Sequence, residues 1–232
     1  MIPLNLRTEG QTADYVNTGS WSTKAIKEAK VTGAVNVAWD GEGENYARVP
    51  KSDELALTSG AAYVHICSNE TIGGIRYHDF PETEAPLVAD MSSEIMSRRI
   101  DVGRFGLIYA GAQKNLGPSG LALVIVRKDL VERCPDSVPL FLRYATHIEK
   151  SSLYNTPNTW AFYILKLVTE WIQQQGGIAA IEKANEAKAR MLYEVLDGSD
   201  FWKPVADPAC RSIMNVTWTT PSEELDAAFV EQ

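Results

Sequence analysis

Leu107-Ile-Tyr-Ala-Gly-Ala-Gln-Lys-Asn-Leu-Gly-Pro-Ser-Gly120 opens apolar, ends in small residues, and delivers one lysine, Lys114, as the apolar run stops. After Pro118 and Gly120 the chain turns into a second apolar run, Leu121-Ala-Leu-Val-Ile-Val126. Two such runs separated by Gly and Pro read as buried strands. A lysine at a strand end is ordinarily a solvated boundary residue. Held between two buried strands, however, an amine is partly desolvated, which favours its neutral, nucleophilic form.

One strand and one connection upstream, Pro86-Leu-Val-Ala-Asp-Met-Ser-Ser93 is another apolar run, and it ends on a carboxylate, Asp90. In a mostly parallel sheet flanked by helices, ligands sit outside the carboxyl ends of the strands. An acid and a lysine at that edge suit pyridoxal 5'-phosphate. The amine takes the aldehyde, and the carboxylate keeps the pyridine nitrogen protonated so that the ring can act as an electron sink.

The rest of the chain frames these strands. Met1 to Leu6 is a short apolar element. Asp14 to Ser20 reads as a strand and turn, with Thr18 or Ser20 capping a helix that carries Ala25, Ile26 and Ala29 on one side. Val31 to Val37 reads as a strand, and Ala61-Ala-Tyr-Val-His-Ile-Cys67 as a buried one whose His65 and Cys67 belong to the core. Ser97 to Asp101 is a charged structural loop, Asp129 to Cys134 a short helix, and His78 and His147 have no assigned partner. Asn158 or Thr159 caps a helix carrying Phe162, Leu165, Val168, Trp171 and Ile172. Gly176-Gly177 ends it, and a second helix carries Ile178, Ile181, Ala184, Met191, Leu192 and Val195. Both stripes read as core. Ser212 to Trp218 alternates like a half-buried strand, and Pro221 to Glu224 starts a last helix.

Composition limits the alternatives. With 22 basic against 30 acidic residues the net charge is −8, which argues against nonspecific nucleic-acid binding and against a polybasic membrane surface. No apolar run approaches the roughly 20 residues that cross a bilayer, and the N-terminus has no signal-peptide pattern. Three widely spaced cysteines, Cys67, Cys134 and Cys210, fit neither a zinc site nor a disulfide framework. The expectation is a reduced, cytoplasmic protein without a metal.

Six strings, in order along nearly the whole chain, resemble the phosphoserine aminotransferase family. They are Tyr15-Val-Asn-Thr-Gly-Ser-Trp21, Asn69-Glu-Thr-Ile72, Ala89-Asp-Met-Ser-Ser93, Ser97-Arg-Arg-Ile-Asp-Val102, Tyr109-Ala-Gly-Ala-Gln-Lys-Asn115 and Tyr154-Asn-Thr-Pro157. The resemblance implies a class-V, fold type I architecture. A cofactor-binding large α/β domain would cover residues 1–175, and a connecting helix with an incomplete small α/β domain would cover 176–232. It implies transamination from glutamate to 3-phosphohydroxypyruvate, giving O-phosphoserine and 2-oxoglutarate, with 4-phosphohydroxythreonine as a further product. In this family's scheme Lys114 holds the cofactor aldehyde and moves the substrate proton, and Asp90 pairs with the ring nitrogen. Trp21 stacks on the ring, and Thr71 and Gln113 hydrogen-bond its oxygens. Asn155 and Thr156 reach the neighbouring subunit's phosphate across an isologous homodimer interface.

Two elements of the family's pattern have no counterpart in the sequence. One is the Gly-rich helix start that cradles the phosphate. The other is the set of arginines and a histidine that hold the substrate. The chain therefore reads as cut at both ends, with poor cofactor binding expected of this piece alone. Two other readings remain: a module serving only in assembly, and another class-V enzyme such as a desulfurase using Cys210 as nucleophile.

Overall fold

The computed structural model describes residues 1–231. Six strands form the central sheet: β1 (Ala13–Asn17), β2 (Val35–Asp40), β3 (Val64–Cys67), β6 (Leu87–Asp90), β7 (Leu107–Gly111) and β8 (Ala122–Val126), in the order β2-β1-β3-β6-β7-β8. Every pairing is parallel except β7 with β8. A small hairpin, β4 (Asn69–Glu70) and β5 (Ile75–Arg76), follows β3. This is the mostly parallel α/β architecture expected from the sequence.

Parallel strands covered on both faces carry apolar residues at consecutive positions. In β7, Ile108 and Ala110 enter one core with Val64, Ile66, Ala89 and Met91. Leu107 and Tyr109 enter the other, with Tyr15, Tyr63, Val88 and Leu130. Helix α2 (Ser20–Thr32) covers this second core through Ala25, Ile26 and Ala29. It is joined by α1 (Ile2–Leu6), α3 (Lys128–Val131) and α4 (Tyr144–Glu149), whose buried residues include Leu6, Leu130 and Tyr144.

The cap of α2 differs from the expectation. Neither Thr18 nor Ser20 provides it. The Glu70 carboxylate, distant in sequence, accepts from the backbone N–H of Trp21 (3.2 Å) and Ser22 (2.9 Å) and from the Ser22 hydroxyl (2.8 Å). Gly19 precedes the helix at φ 154°, and a Cβ there would lie 2.9 Å from Glu70 Cδ, so the close approach of the two elements requires glycine. The expected strand from Val31 also shifts. The helix continues to Thr32 and β2 starts at Val35, because the Arg7 guanidinium ties the Thr32 hydroxyl and the Ala34 carbonyl at the break.

The long helices are α5 (Thr159–Gln174), capped by the Asn158 side chain on Ala161 N–H, and α6 (Ile178–Asp197). Their stripes are not the core that the sequence suggested. Ile172 is buried, but Trp171 is 52% exposed, and Met191, Leu192 and Val195 face solvent. Helical period marks an apolar face; it does not say what covers it. The expected strand from Ser212 shrinks to β10 (Trp218–Thr219), paired antiparallel with β9 (Lys203–Pro204). The residues before it are occupied elsewhere: Ser212 and Asn215 bond Asn69, and Thr217 donates to the Gly73 carbonyl. The chain then enters α7 (Glu223–Glu231). No described helix is long and apolar enough to cross a membrane.

Replacing Glu70 with alanine strands two backbone donors and a hydroxyl in a site where Glu70 itself is 1% exposed. Buried donors left unpaired cost roughly 1–3 kcal/mol. Urea unfolding of Glu70→Ala should show a loss of that size, with Glu70→Gln losing less. Equal midpoints for wild type and Glu70→Ala would refute the assignment of Glu70 as the helix cap.

Candidate active site

Lys114 follows β7, and its amine lies against two hydroxyls. It donates to Thr71 Oγ1 and, at 3.0 Å, to Ser93 Oγ. The hydroxyls are themselves hydrogen-bonded at 2.5 Å. The same ammonium sits 4.7 Å from the centroid of the Trp21 indole, and Lys24 sits 4.4 Å from it. Trp21 is in the first turn of α2, so the Glu70 cap that fixes that turn also fixes the indole. Thr71 follows Glu70 directly in the chain, and one short segment thus sets both the aromatic wall and the lysine's partner.

Asp90 closes β6 at the same carboxyl edge of the sheet, since β6 and β7 are parallel. It pairs in register with Cys67 on β3 and Tyr109 on β7. Its Oδ1 accepts from the backbone N–H of Ser92 (2.9 Å) and from the Ser92 hydroxyl (2.6 Å), which in turn accepts from Gly111 N–H. The Cys67 thiol lies within the field of both reactive groups. Burial pushes it well above the usual thiol range, the Glu70 and Asp90 carboxylates add to the rise, and Lys114 opposes it. Asp90 and Lys114 thus both lie at the carboxyl end of adjacent parallel strands, and both act electrostatically on Cys67.

Behind Asp90 lies an aromatic layer. His65 Nε2 is 3.0 Å from the Tyr109 hydroxyl, and its ring stacks on Tyr15 at 4.7 Å. The Tyr15 hydroxyl meets that of Tyr63 at 2.7 Å. Burial lowers the His65 pKa to about 4, against the opposing pull of the Asp90 carboxylate.

A cavity of about 230 Å³ opens on this arrangement, lined by Thr71, Ser93, Lys114, Asn115, Met214 and Asn215. Gln113 is exposed, with its amide folded back toward Gly111. Asn155 and Thr156 are exposed in the stretch between α4 and α5, and neither lines the cavity. Cys210 is buried in a small cluster with Ile75 and Ala206, which leaves a nucleophilic thiol no access to the Lys114 cavity. The loop 97–101 is structural: Arg98 pairs with buried Glu94 and donates to the Tyr77 carbonyl. His147 bonds the Phe141 carbonyl at 2.7 Å, and His78 approaches Arg76 at 3.4 Å.

Three residues of this arrangement escaped sequence reasoning. Ser93 lay inside the string quoted for Asp90, and its position just past a strand end was a usable signal. Glu70 offered another, a carboxylate directly after a buried strand. Asn215 offered none, because its partner Asn69 is 146 residues away.

The model of the aminotransferase class-V family matches residues 1–232. The chain belongs to the class-V aminotransferases. Among its relatives, the phosphoserine aminotransferase of Geobacillus kaustophilus is 53% identical over 233 residues, covering 100% of this chain and 65% of the relative. That of Pseudomonas aeruginosa strain PAO1 is 52% identical over 231 residues, covering 99% and 64%. The solved phosphoserine aminotransferase from Bacillus circulans subsp. alkalophilus superposes with a TM-score of 0.96 at 49% identity, over 99% of this chain and 64% of that one. A pyridoxal-phosphate-bound phosphoserine aminotransferase from Trichomonas vaginalis superposes with a TM-score of 0.93 at 37% identity, covering 99% and 67%. The chain thus spans 65% and 64% of the length of the two curated relatives.

The buried imidazole gives a pH dependence with a definite sign. His65 titrates near 6.5 when unfolded and at about 4 when folded. Between those values the unfolded chain binds more protons, so its contribution to stability is intact above pH 6.5 and is lost as the pH falls toward 4. Wild type should lose about 3 kcal/mol more than His65→Gln between pH 7 and pH 4. Urea titrations of both proteins at both pH values measure this, and parallel losses would show that His65 is not held neutral.

Proposed function

We propose that this chain carries the reaction centre of a phosphoserine aminotransferase. The enzyme moves an amino group from glutamate to 3-phosphohydroxypyruvate through pyridoxal 5'-phosphate. The carrying observation is the placement of the Lys114 amine, against the Thr71 and Ser93 hydroxyls and over the Trp21 indole, at the sheet edge that also ends in Asp90. The groups present fit this cofactor. An amine is available for its aldehyde, an indole for its aromatic face, hydroxyls for its phenolic oxygen and a carboxylate for its ring nitrogen. When bound, pyridoxal phosphate supplies an electron sink for the substrate's Cα–H bond.

The protein's part is positioning and proton transfer. Lys114 would hold the cofactor through its aldehyde, and its amine is the group that would carry the proton from Cα. Thr71 and Ser93 keep the amine's trajectory fixed. Asp90, itself oriented by Ser92, would keep the ring nitrogen protonated. The Trp21 indole would offer an aromatic surface to the ring, and Gln113 would supply a hydrogen bond to one of the cofactor's oxygens.

The same reading assigns residues 1–175 to the cofactor-binding domain and 176–232 to a connecting helix and part of a smaller one. It places Asn155 and Thr156 at a two-fold interface, where they serve the partner's phosphate. Exposed Phe141, Tyr154 and Trp160, the last 68% exposed, surround that segment and form an apolar surface of the kind that self-association covers. Three free cysteines suit a reducing, cytoplasmic setting.

Borohydride reduction in the presence of pyridoxal phosphate should fix the cofactor on the Lys114 peptide, as read by mass spectrometry. In a protein extended to the full length of its relatives, Lys114→Ala should remove the label together with glutamate-dependent transamination. Asp90→Asn should keep the label but slow turnover about 100-fold, the loss expected when a charge-assisted hydrogen bond worth roughly 2–3 kcal/mol is removed. A label on any other lysine, or full activity in Lys114→Ala, defeats the proposal.

The interface is tested separately. Trp160→Glu should convert a dimer to a monomer in sedimentation equilibrium, and an unchanged mass would move the interface elsewhere.

A further inference from the structure

We propose that Asn215 is a substrate-binding residue whose side-chain N–H receives a carboxylate oxygen of the amino- or oxo-acid substrate beside Lys114. The inference rests on the transamination reading above and extends it to a segment that reading does not use. The Ser212 hydroxyl donates to Asn69 Oδ1 at 2.5 Å, which commits that oxygen. Asn69 must then donate through Nδ2, and it does so to Asn215 Oδ1 at 2.9 Å. Because Asn69 is 1% exposed and Ser212 fully buried, neither can re-pair with water. The oxygen of Asn215 is thereby fixed toward Asn69, and its NH2 group, with two donors, is left for the cavity that Asn215 lines.

Of the other lining side chains, Lys114 also carries N–H donors, but on the transamination reading its amine is engaged by the cofactor. Thr71 and Ser93 are bonded to one another and to Lys114. Asn115 commits one of its two Nδ2 hydrogens to the Ile95 carbonyl at 2.6 Å. Met214 has no donor. The wall carrying Asn215 is also held rigidly. Gly74, at φ +68°, packs so closely that a Cβ would lie 2.7 Å from the Asn215 carbonyl oxygen, and Thr217 donates to the Gly73 carbonyl. A donor placed this firmly loses little entropy when it binds, which suits recognition of an acid common to both half-reactions.

The test uses glutarate, a dicarboxylate with neither amine nor carbonyl, titrated calorimetrically into wild type, Asn215→Ala and Asn215→Asp. Asn215→Asp keeps an oxygen for Asn69 and turns a second oxygen toward the cavity. Glutarate affinity should fall about tenfold in Asn215→Ala and further in Asn215→Asp, and the KM for glutamate should follow the same order. A residue that only supports the wall would give the reverse order, with Asn215→Asp nearer wild type. That order, or equal affinities in all three proteins, overturns the proposal. Borohydride fixation on Lys114 should be unchanged in both variants. Its failure in wild type would count against the transamination reading, whereas the glutarate ordering is read with or without the cofactor.

Discussion

The Glu70 carboxylate, buried between a hairpin and the start of α2, gathers two backbone N–H groups and a hydroxyl from residues 21 and 22. Its neighbours in sequence perform equivalent tasks in other directions. Asn69 holds the segment around Asn215, and Thr71 holds the Lys114 amine. Successive residues of an extended segment point to alternate sides, so one tripeptide can reach three distant parts of the chain. The aromatic wall, the amine and the far wall of the cavity are thus fixed relative to one another through a single short stretch. Polar groups in such a network are satisfied together or not at all, and this makes the arrangement rigid.

The sheet supplies the other half of the geometry. Parallel strands end together, and β3, β6 and β7 bring Cys67, Asp90 and Tyr109 into one row. The layer beneath the row, His65, Tyr15 and Tyr63, is buried and aromatic, with hydroxyls and a ring nitrogen paired internally. Such a layer lowers the local dielectric without leaving its own polar groups stranded, except for His65 Nδ1. In that setting a carboxylate acts on a nearby cation more strongly than it would in water.

Outside the cavity, the chain carries more apolar surface than its own core uses. The outer face of α5 is aromatic, and Trp202, Trp218 and Phe229 meet edge to face around a second cavity of about 210 Å³ near α6. Solvent-facing aromatic groups of this density mark surfaces that other protein covers. They explain why stripes with correct helical spacing are exposed here.

The sequence alone determined the class of fold and the strand ends at which Asp90 and Lys114 lie. Consecutive burial in Leu107 to Gly111 and Leu87 to Asp90 fits strands covered on both sides, and the first run is followed closely by Lys114 while the second ends on Asp90, so the placement of both was readable from local pattern. The cap of α2, the contacts of Ser93 and Asn215 and the fate of residues 212–217 were decided only in three dimensions. Each depends on hydrogen bonds between residues far apart in the chain, and spacing along a sequence carries no record of which buried donor will find which acceptor. Burial of the helical stripes was likewise a tertiary outcome, because an amphipathic period fixes which side of a helix is apolar but not what packs against it.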